Sequence, residues 1–345
     1  MSIGRSRWLA STPLGLILML AALWLADRSL VRSVEQPGPH AEPLRVQIPE
    51  GTPMRGVLRL LAERGVIADV RPVEWWLRLH GRELRMQAGT FEIPARASAR
   101  AALEQIASGR VVLESLTIVE GWTFKQMRRA VESHPGIHPT LRGRPDAQIM
   151  AALGQPDLHP EGRFYPDTYR FAAGTTDLEI YRLAHRELNA ALDVAWSQRS
   201  PDLPLNSASE LLVLASIVEK ETALATERAR IAGVFVSRLR RGMRLQSDPT
   251  VIYGLGDSYD GNIRSRDLAA DTPYNTYTRN GLPPTPIALV GRDALAATAM
   301  PDVTGELFFV ANGEGDGAHV FSRTYAEHRA AVQRMLERQR ERGVL

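Results

Sequence analysis

The residues best suited to chemistry in this chain lie in Ala215-Ser-Ile-Val-Glu-Lys-Glu-Thr-Ala223, where two carboxylates stand near the end of an otherwise apolar stretch. At about 100° of helical turn per residue, Leu214, Ile217 and Val218 share a face with Glu221, which therefore falls inside the apolar arc. A carboxylic acid held against apolar neighbours has its charged form disfavoured and its pKa raised, as a general acid working near neutral pH requires. Glu221 is the candidate catalytic residue. The competing reading is a solvated glutamate at a helix end, the commoner fate of the residue type. Glu219 falls at the edge of the arc and is expected to be an exposed or salt-bridged neighbour.

The element that must carry Glu221 begins at Ser207-Ala-Ser-Glu210, which reads as a capping box closing the first turn of a helix through Leu211-Leu-Val-Leu214. A partner helix is expected from Glu227 to Arg241, with Ile231, Val234, Phe235 and Leu239 on one face and Gly242 as terminator. Upstream, short helices are expected at Asp146 to Ala152 and Asp177 to Trp196; downstream, a strand at Leu307 to Ala311 and a charged helix from Tyr325. The cluster Arg238, Arg240, Arg241 and Arg244 reads as a solvated helix end complementing the dipole, with binding of an anionic peptide stem or lipid as the alternative. Between these elements lie long polar loops carrying Tyr, Asn, Asp and Thr, the usual material of a sugar groove.

Several blocks in this region occur together: Ala215-Ser-Ile-Val-Glu-Lys-Glu-Thr222, Arg244-Leu-Gln-Ser-Asp-Pro-Thr-Val-Ile-Tyr-Gly254, Pro273-Tyr-Asn-Thr-Tyr-Thr278 with Gly281-Leu-Pro-Pro284, and upstream Glu161-Gly-Arg-Phe-Tyr-Pro-Asp-Thr-Tyr169. Phe308-Phe-Val-Ala-Asn-Gly313 and His319-Val-Phe321 complete the series. In content and order they resemble the endolytic murein transglycosylase family, the YceG-like proteins often called MltG. The resemblance covers nearly the whole chain. It implies that the second glutamate of Glu-Lys-Glu-Thr, here Glu221, is catalytic, and Lys220-Glu-Thr222 is similar to the Glu-Ser signature of lysozyme-like lytic transglycosylases.

The same resemblance suggests substrate-binding residues. Asn275 is similar to the groove-lining Asn of lysozyme-like enzymes, although an Asx turn stabilising the loop is the alternative. Tyr277 is a candidate for stacking on or hydrogen-bonding to a sugar, or for simple packing. Gln246, Asp248 and Tyr253 come from the Leu-Gln-Ser-Asp-Pro block, where Asp248 also suits a cap for the turn into Pro249. Glu161 flanks an aromatic loop, either binding sugar or stabilising that loop.

At 345 residues the chain has room for two domains with sizeable cores and a membrane segment. The 42 basic and 39 acidic residues leave a net charge of +3, too even for a nucleic-acid binder. The absence of cysteine removes disulfides, thiolate metal sites and thiol nucleophiles, but does not decide the compartment. The eight histidines form no His-Glu-x-x-His pattern, and Pro135 between His134 and His138 argues against a helical ligand pair. No Walker loop, Gly-x-Ser-x-Gly or Gly-x-Gly-x-x-Gly occurs. No metal and no organic cofactor is expected.

Trp8 to Ala26 is apolar apart from Ser11 and Thr12, a run of about 19 residues that reaches roughly 28 Å as a helix, enough to span a bilayer core. Arg5 and Arg7 precede it and Asp27 offsets Arg28 after it, so the N-terminus is expected in the cytoplasm. Bulky Trp24 and Leu25 before Ala26 make a poor signal-peptide cleavage site. The expected organisation is a cytoplasmic tail at 1–7, a transmembrane anchor at 8–26, a linker at 27–43 containing Pro37-Gly-Pro39, a small α+β domain at 44–135 and a catalytic domain at 136–345.

In the small domain, Val46-Gln-Ile-Pro-Glu-Gly-Thr52 runs into a helix from Met54 to Arg64, and about 70 residues later Leu116-Thr-Ile-Val-Glu-Gly-Trp-Thr123 runs into one from Phe124 to Glu132. Between them lie a helix around Val73 to Leu79, with Trp75 and Trp76 expected in the core, and Gln87-Ala-Gly-Thr-Phe-Glu-Ile93 leading into Ala97 to Ser108. The pattern resembles LysM, a small glycan-binding module, with Trp122 and Thr52 as candidate contacts and a purely structural platform as the alternative. The fold class expected overall is α+β: a single transmembrane helix, a LysM-like α+β domain, and a larger loop-rich domain with a lysozyme-like helical active-site element.

Most glycosidases use two carboxylates. By the family resemblance, one acid suffices here: it donates a proton to the glycosidic oxygen leaving N-acetylmuramic acid, then takes one from the 6-hydroxyl of that sugar, which attacks C1 and closes a 1,6-anhydro ring. The partners implied are peptidoglycan glycan strands and peptidoglycan synthases at the inner membrane, with the catalytic domain periplasmic. Two alternatives stay open: a hydrolytic muramidase in which Asp248 or Glu161 assists a water beside Glu221, and a non-catalytic cell-wall-binding scaffold.

Overall fold

The apolar run near the start of the chain continues as one helix, α1 (Ser11–Glu35), in the computed structural model, which describes residues 11–80 and 84–343. Among the described residues no helix is long and apolar enough to cross a membrane. The start of the expected span, Trp8 to Ala10, lies outside them. The linker expected over 27–43 is helical as far as Glu35, because Val34 is fully buried and Val31 packs beside it, so this turn of helix is held by a core. The chain divides into two units, Met1–Glu114 with Arg170–Gly174, and Ser115–Tyr169 with Thr175–Leu345.

The first unit continues with β1 (Leu44–Ile48), α2 (Met54–Glu63), α3 (Val70–Leu79), β2 (Gly89–Ile93), α4 (Ala99–Ala107) and the start of β3 (Leu113–Thr117). β1 and β2 pair antiparallel with Val46 opposite Phe91 and Ile48 opposite Gly89. The period-two alternation puts Val46, Ile48, Phe91 and Ile93 into the core against Val57, Leu61, Leu103 and Ile106. Gly89 is required there: its φ is +133°, and a Cβ would stand 2.5 Å from Cγ1 of Val111. Of the two tryptophans expected inside, Trp76 is buried at 4% exposure, whereas Trp75 is 55% exposed with the Arg78 guanidinium 5.6 Å from its ring. Adjacent residues on a helix point about 100° apart, so one face cannot hide both.

The second strand-turn-helix copy falls in the second unit, because the division lies at Glu114 and Ser115 and not near residue 135. Its helix α5 (Phe124–Ser133) starts with a complete capping box between Thr123 and Gln126. In the first copy Pro53 is the N-cap, and the Thr52 hydroxyl donates to the Pro49 carbonyl instead. The two copies share the left-handed glycine of the turn, Gly51 and Gly121 at φ +73° and +74°, but not the cap.

Beyond α5 come α6 (Asp146–Ala152), β4 (Thr168–Ala172), α7 (Asp177–Ser197), α8 (Ala208–Glu221), α9 (Ala225–Arg240), α10 (Asp248–Leu255), a 3-10 turn at Gly256–Ser258, α11 (Ser265–Ala269), α12 (Arg292–Ala299), β5 (Phe308–Ala311), β6 (His319–Ser322) and α13 (Tyr325–Glu341). β3 pairs with β4, and β5 pairs antiparallel with β6. The fold is a mixed α+β architecture with short two-stranded ladders, and the second unit has a helical centre.

That centre is α8. Every residue from Leu211 to Val218 is buried, with α7, α9 and α12 packed against it. Each fully buried Leu, Ile or Val adds about 2 kcal/mol of transfer free energy. The helix is apolar all round, so it is a core element and not the amphipathic one that a single apolar arc implies. Its cap also differs from the expected box: Ser207 Oγ accepts from Glu210 N at 3.2 Å, but the Glu210 carboxylate reaches one residue further back, to Asn206 N at 2.7 Å.

α9 fits only because Gly233 lacks a side chain. A Cβ there would lie 2.0 Å from the Asp302 carbonyl oxygen, and Asp302 N donates to Ala229 O at 2.9 Å, so backbone approaches backbone. Gly233→Ala is expected to lower stability by about 2 kcal/mol, the cost of overpacking a rigid contact, read as a lower urea midpoint with unchanged slope. An unchanged midpoint would mean that the Asp302 loop yields freely.

Candidate active site

Glu221 is the last residue of α8, half-buried where the helix ends at Thr222. Its close polar partner is the Ser247 hydroxyl, which donates to Glu221 Oε1 at 2.5 Å. Burial pushes the Glu221 carboxyl up to about 7; the Ser247 hydrogen bond opposes this, the Asp248 charge adds to it, and Arg238 lowers it a little. The result is an acid that is part protonated at neutral pH.

Ser247 is held in place by backbone geometry and by a threonine. It is the N-cap residue of α10, and its N–H donates to Thr276 Oγ1 at 3.0 Å, while Gln246 N donates to Thr276 O at 3.1 Å. Thr250 ties the same turn, donating to Ser247 O at 2.6 Å and lying 2.9 Å from the Thr276 hydroxyl. Gln246 has φ +49°, a left-handed conformation that costs a residue with a Cβ roughly 1 kcal/mol or more, and such strain concentrates at functional sites.

Glu221, Gln246, Asp248 and Tyr277 line one cleft of about 330 Å³. Tyr277 donates its hydroxyl to Asp248 Oδ1 at 2.5 Å, and Arg244 Nη1 donates to the Tyr277 carbonyl at 2.6 Å. Asn275 does not join them. It is fully buried, and its Nδ2 donates to the carbonyls of Asp267, Leu268 and Ala270 at 3.2, 3.0 and 2.7 Å. Its Oδ1 accepts from Tyr277 N at 2.8 Å, so Asn275 shapes the loop that presents Tyr277. The Asx-turn reading is the one its geometry follows.

Glu161 and Tyr253 are bound to each other and not to the cleft. The Tyr253 hydroxyl donates to Glu161 Oε2 at 3.1 Å, and Glu161 Oε1 accepts from Phe124 N at 2.9 Å and Gly162 N at 3.3 Å. At 3% exposure the Glu161 carboxyl is pushed up to about 7 by burial, against the lowering effect of those donors. A buried carboxyl whose lone pairs accept from chain N–H groups braces the start of α5, apart from the lining of the Glu221 cleft. Glu219 takes the salt-bridged form of its expectation: its side chain, 5% exposed, stands 3.7 Å from Arg228 and accepts from Gly291 N at 3.0 Å, and desolvation raises its pKa.

The cleft is also lined by Arg238, Phe309, Val310, Ala311, His319, His328 and Val332. Arg238 is not a solvated helix end. It is 6% exposed, its Nε donates to Leu307 O at 2.7 Å and its Nη1 to Leu245 O. Burial lowers its pKa, with Tyr277 and Glu221 opposing. His319 Nδ1 lies 2.7 Å from Glu227 Oε2, and the His319 backbone N–H donates to Glu227 Oε1 at 3.0 Å. His328 stacks on Phe308, and burial together with Arg238 holds its pKa below the usual histidine range. The signal for His319 was its place in His319-Val-Phe321; Ser247 sat unnoticed inside Leu-Gln-Ser-Asp-Pro. Among the described residues no three His, Asp or Glu side chains group as metal ligands.

The model of the YceG-like family matches residues 46–334. The chain is 28% identical over 343 residues to the endolytic murein transglycosylase of Bacillus subtilis, covering 94% of this chain and 93% of that protein. It is 28% identical over 300 residues to the endolytic murein transglycosylase of Streptococcus pneumoniae, covering 77% of this chain and 54% of that protein, so it spans about half the pneumococcal relative. The crystal structure of a yceG-like protein of Listeria monocytogenes superposes with a TM-score of 0.54 at 27% identity, covering 84% of this chain and 99% of that one.

The raised pKa of Glu221 has a consequence for stability. With a folded pKa of about 7 against an ordinary 4.5, the folded state binds the proton more tightly. Stability therefore falls as pH rises through that window. Glu221→Gln removes this loss: the variant should match the parent near pH 4 and exceed it by on the order of 3 kcal/mol at pH 8, in urea denaturation at the two pH values. A parent more stable than the variant at pH 8 would show that the carboxylate is well solvated or paired.

Proposed function

Because the chain belongs to the YceG-like family, we propose that it is an endolytic murein transglycosylase, a lyase that cuts the β-1,4 bond between N-acetylmuramic acid and N-acetylglucosamine within glycan strands. The observation that carries the reading is Glu221, a half-buried acid in a cleft with a neutral hydroxyl as its close partner and a pKa pushed up to about 7. In the proposed reaction its protonated form donates to the leaving glycosidic oxygen. The resulting carboxylate then accepts the proton of the muramic 6-hydroxyl as that oxygen bonds to C1 and closes the 1,6-anhydro ring. An internal nucleophile gains the proximity of a reaction within one sugar, so no water needs to be positioned.

Gln246, Asp248 and Tyr277 are the proposed substrate contacts, since they share the cleft with Glu221. Asn275, Tyr253 and Glu161 support the loops behind them. We assign residues 8–26 to a membrane anchor with the N-terminus in the cytoplasm, which puts the catalytic unit on the periplasmic side, beside peptidoglycan synthases as partners. The LysM-like reading of the small unit makes it the glycan- or partner-facing module. Asp248 keeps the hydrolytic muramidase reading testable, because it is a second carboxylate in the same cleft.

Mass spectrometry of products from uncrosslinked glycan strands tests the reaction. Internal fragments ending in 1,6-anhydro-N-acetylmuramic acid are expected, with a loss of at least about a hundredfold in Glu221→Gln. Reducing ends would make the enzyme a hydrolase, and cleavage unaffected by Glu221→Gln would remove the residue from the mechanism.

The pH profile supplies a second test. Cleavage should decline as pH rises through about 7, as Glu221 loses its proton. Ser247→Ala removes a bond that favours the carboxylate and should move the decline to higher pH; Asp248→Asn removes a repelling charge and should move it lower. Shifts in the same direction for both variants would overturn this account of the site.

A further inference from the structure

In the first unit α1 and α3 lie side by side and run antiparallel. His80, just past the end of α3, places its Nε2 3.3 Å from Asp27 Oδ1, whereas Asp69, Pro72 and Val73 at the start of α3 share a pocket with Ser33 and Gln36 near the end of α1. The end of α3 is therefore level with Asp27, where the apolar run of α1 stops. At about 1.5 Å per residue, Leu79 is level with the last apolar residues of α1, and Trp75 lies roughly 6 Å further out.

The outward face of α3 has an unusual composition for a soluble surface. Arg71, Trp75, Arg78 and Leu79, spaced at i, i+4, i+7 and i+8, form one stripe, and all four are exposed. Trp75 is 55% and Leu79 62% exposed. The one acid within the helix, Glu74, is committed to Arg55 at 2.6 Å. On α1 at the same level, Trp24 and Leu25 are exposed, with the Arg28 guanidinium 5.2 Å from the Trp24 ring. Tryptophan, leucine and arginine together at one height are the residues that favour the boundary between acyl chains and headgroups, where an indole has one wet edge and a guanidinium meets phosphate.

From this register and this face we infer that the end of α3 is seated on the lipid surface that α1 enters, with Trp75 and Leu79 in the interfacial layer and Arg78 against anionic headgroups. The occupant is the bilayer, argued from the height that the α1 pairing imposes and from the complementary charge. The headgroup layer is about 6 Å deep on each side, a depth that side chains at these two heights reach. The inference rests on the reading of residues 8–26 as a membrane anchor. It changes the consequence of that reading: the first unit is not lifted off the membrane by a free tether but is fixed against it through a continuous helix and a second contact.

The absence of cysteine makes the test clean, because a single introduced thiol is the only labelling site. The full chain, reconstituted in nanodiscs of phosphatidylethanolamine and phosphatidylglycerol, would carry an environment-sensitive fluorophore at Leu79→Cys, at Leu20→Cys within the apolar run, or at Glu63→Cys on exposed α2. A lipid with a nitroxide near its headgroup should quench the label at 79 at least about twofold more than the label at 63, while a deep acyl-chain nitroxide quenches the label at 20. Equal quenching at 79 and 63 with the label at 20 still quenched would overturn the seating and leave the anchor. Loss of quenching at both 20 and 79 would overturn the anchor as well. A label at 79 that is shielded from aqueous iodide yet untouched by lipid nitroxides would put a protein on this face, and the inference would be wrong.

Discussion

The site depends on one constraint: a carboxyl group at the end of an apolar helix, half removed from water and given a neutral partner instead of a cation. A carboxylate beside an arginine would be held ionised, and one fully exposed would keep its ordinary acidity. Ser247 supplies a hydrogen bond that fixes the orientation of Glu221 without neutralising the effect of burial. Arg238 is close enough to count, but its Nε and Nη1 are occupied by the carbonyls of Leu307 and Leu245. Its guanidinium is thereby held in the wall, and burial outweighs its charge to leave the acid part protonated at neutral pH.

Much of the surrounding structure serves to hold that serine. The turn bearing Gln246 and Ser247 and the loop bearing Thr276 and Tyr277 are laced by backbone and hydroxyl bonds, and Asn275 turns its amide into the loop to shape it from behind. These bonds over-determine the left-handed conformation of Gln246, which on its own would relax. The second buried acid, Glu161, shows how the same burial means something different when the lone pairs are filled by chain N–H groups. Acidity alone does not distinguish the two; access to the cleft does.

The small unit follows a comparable logic at a larger scale. Val34 enters its core from α1, so the helix that begins in the apolar run is welded to the domain it carries. Pro37-Gly-Pro39, which reads as a flexible linker, comes only after that junction. Rigidity between α1 and the domain is a property of packing, and proline and glycine could not report it.

Sequence by itself determined the helix bearing Glu221, its partner α9, the strand at Phe308–Ala311, the helix from Tyr325 and the mixed α+β class, because apolar periodicity and end signals are local. It also brought Glu221, Gln246, Asp248 and Tyr277 into one candidate site, through a resemblance carried by several ordered blocks. Tertiary structure alone decided what surrounds α8, which turned an apparent amphipathic helix into a central one, and which of the two tryptophans faces inward. It alone separated Asn275, Tyr253 and Glu161 from the cleft and added Ser247, Arg238, His319 and His328. The reason is physical: helix and strand propensities act over a few residues, whereas a hydrogen bond between Glu221 and Ser247 joins positions 26 apart. Its existence depends on how two loops and a helix end pack together.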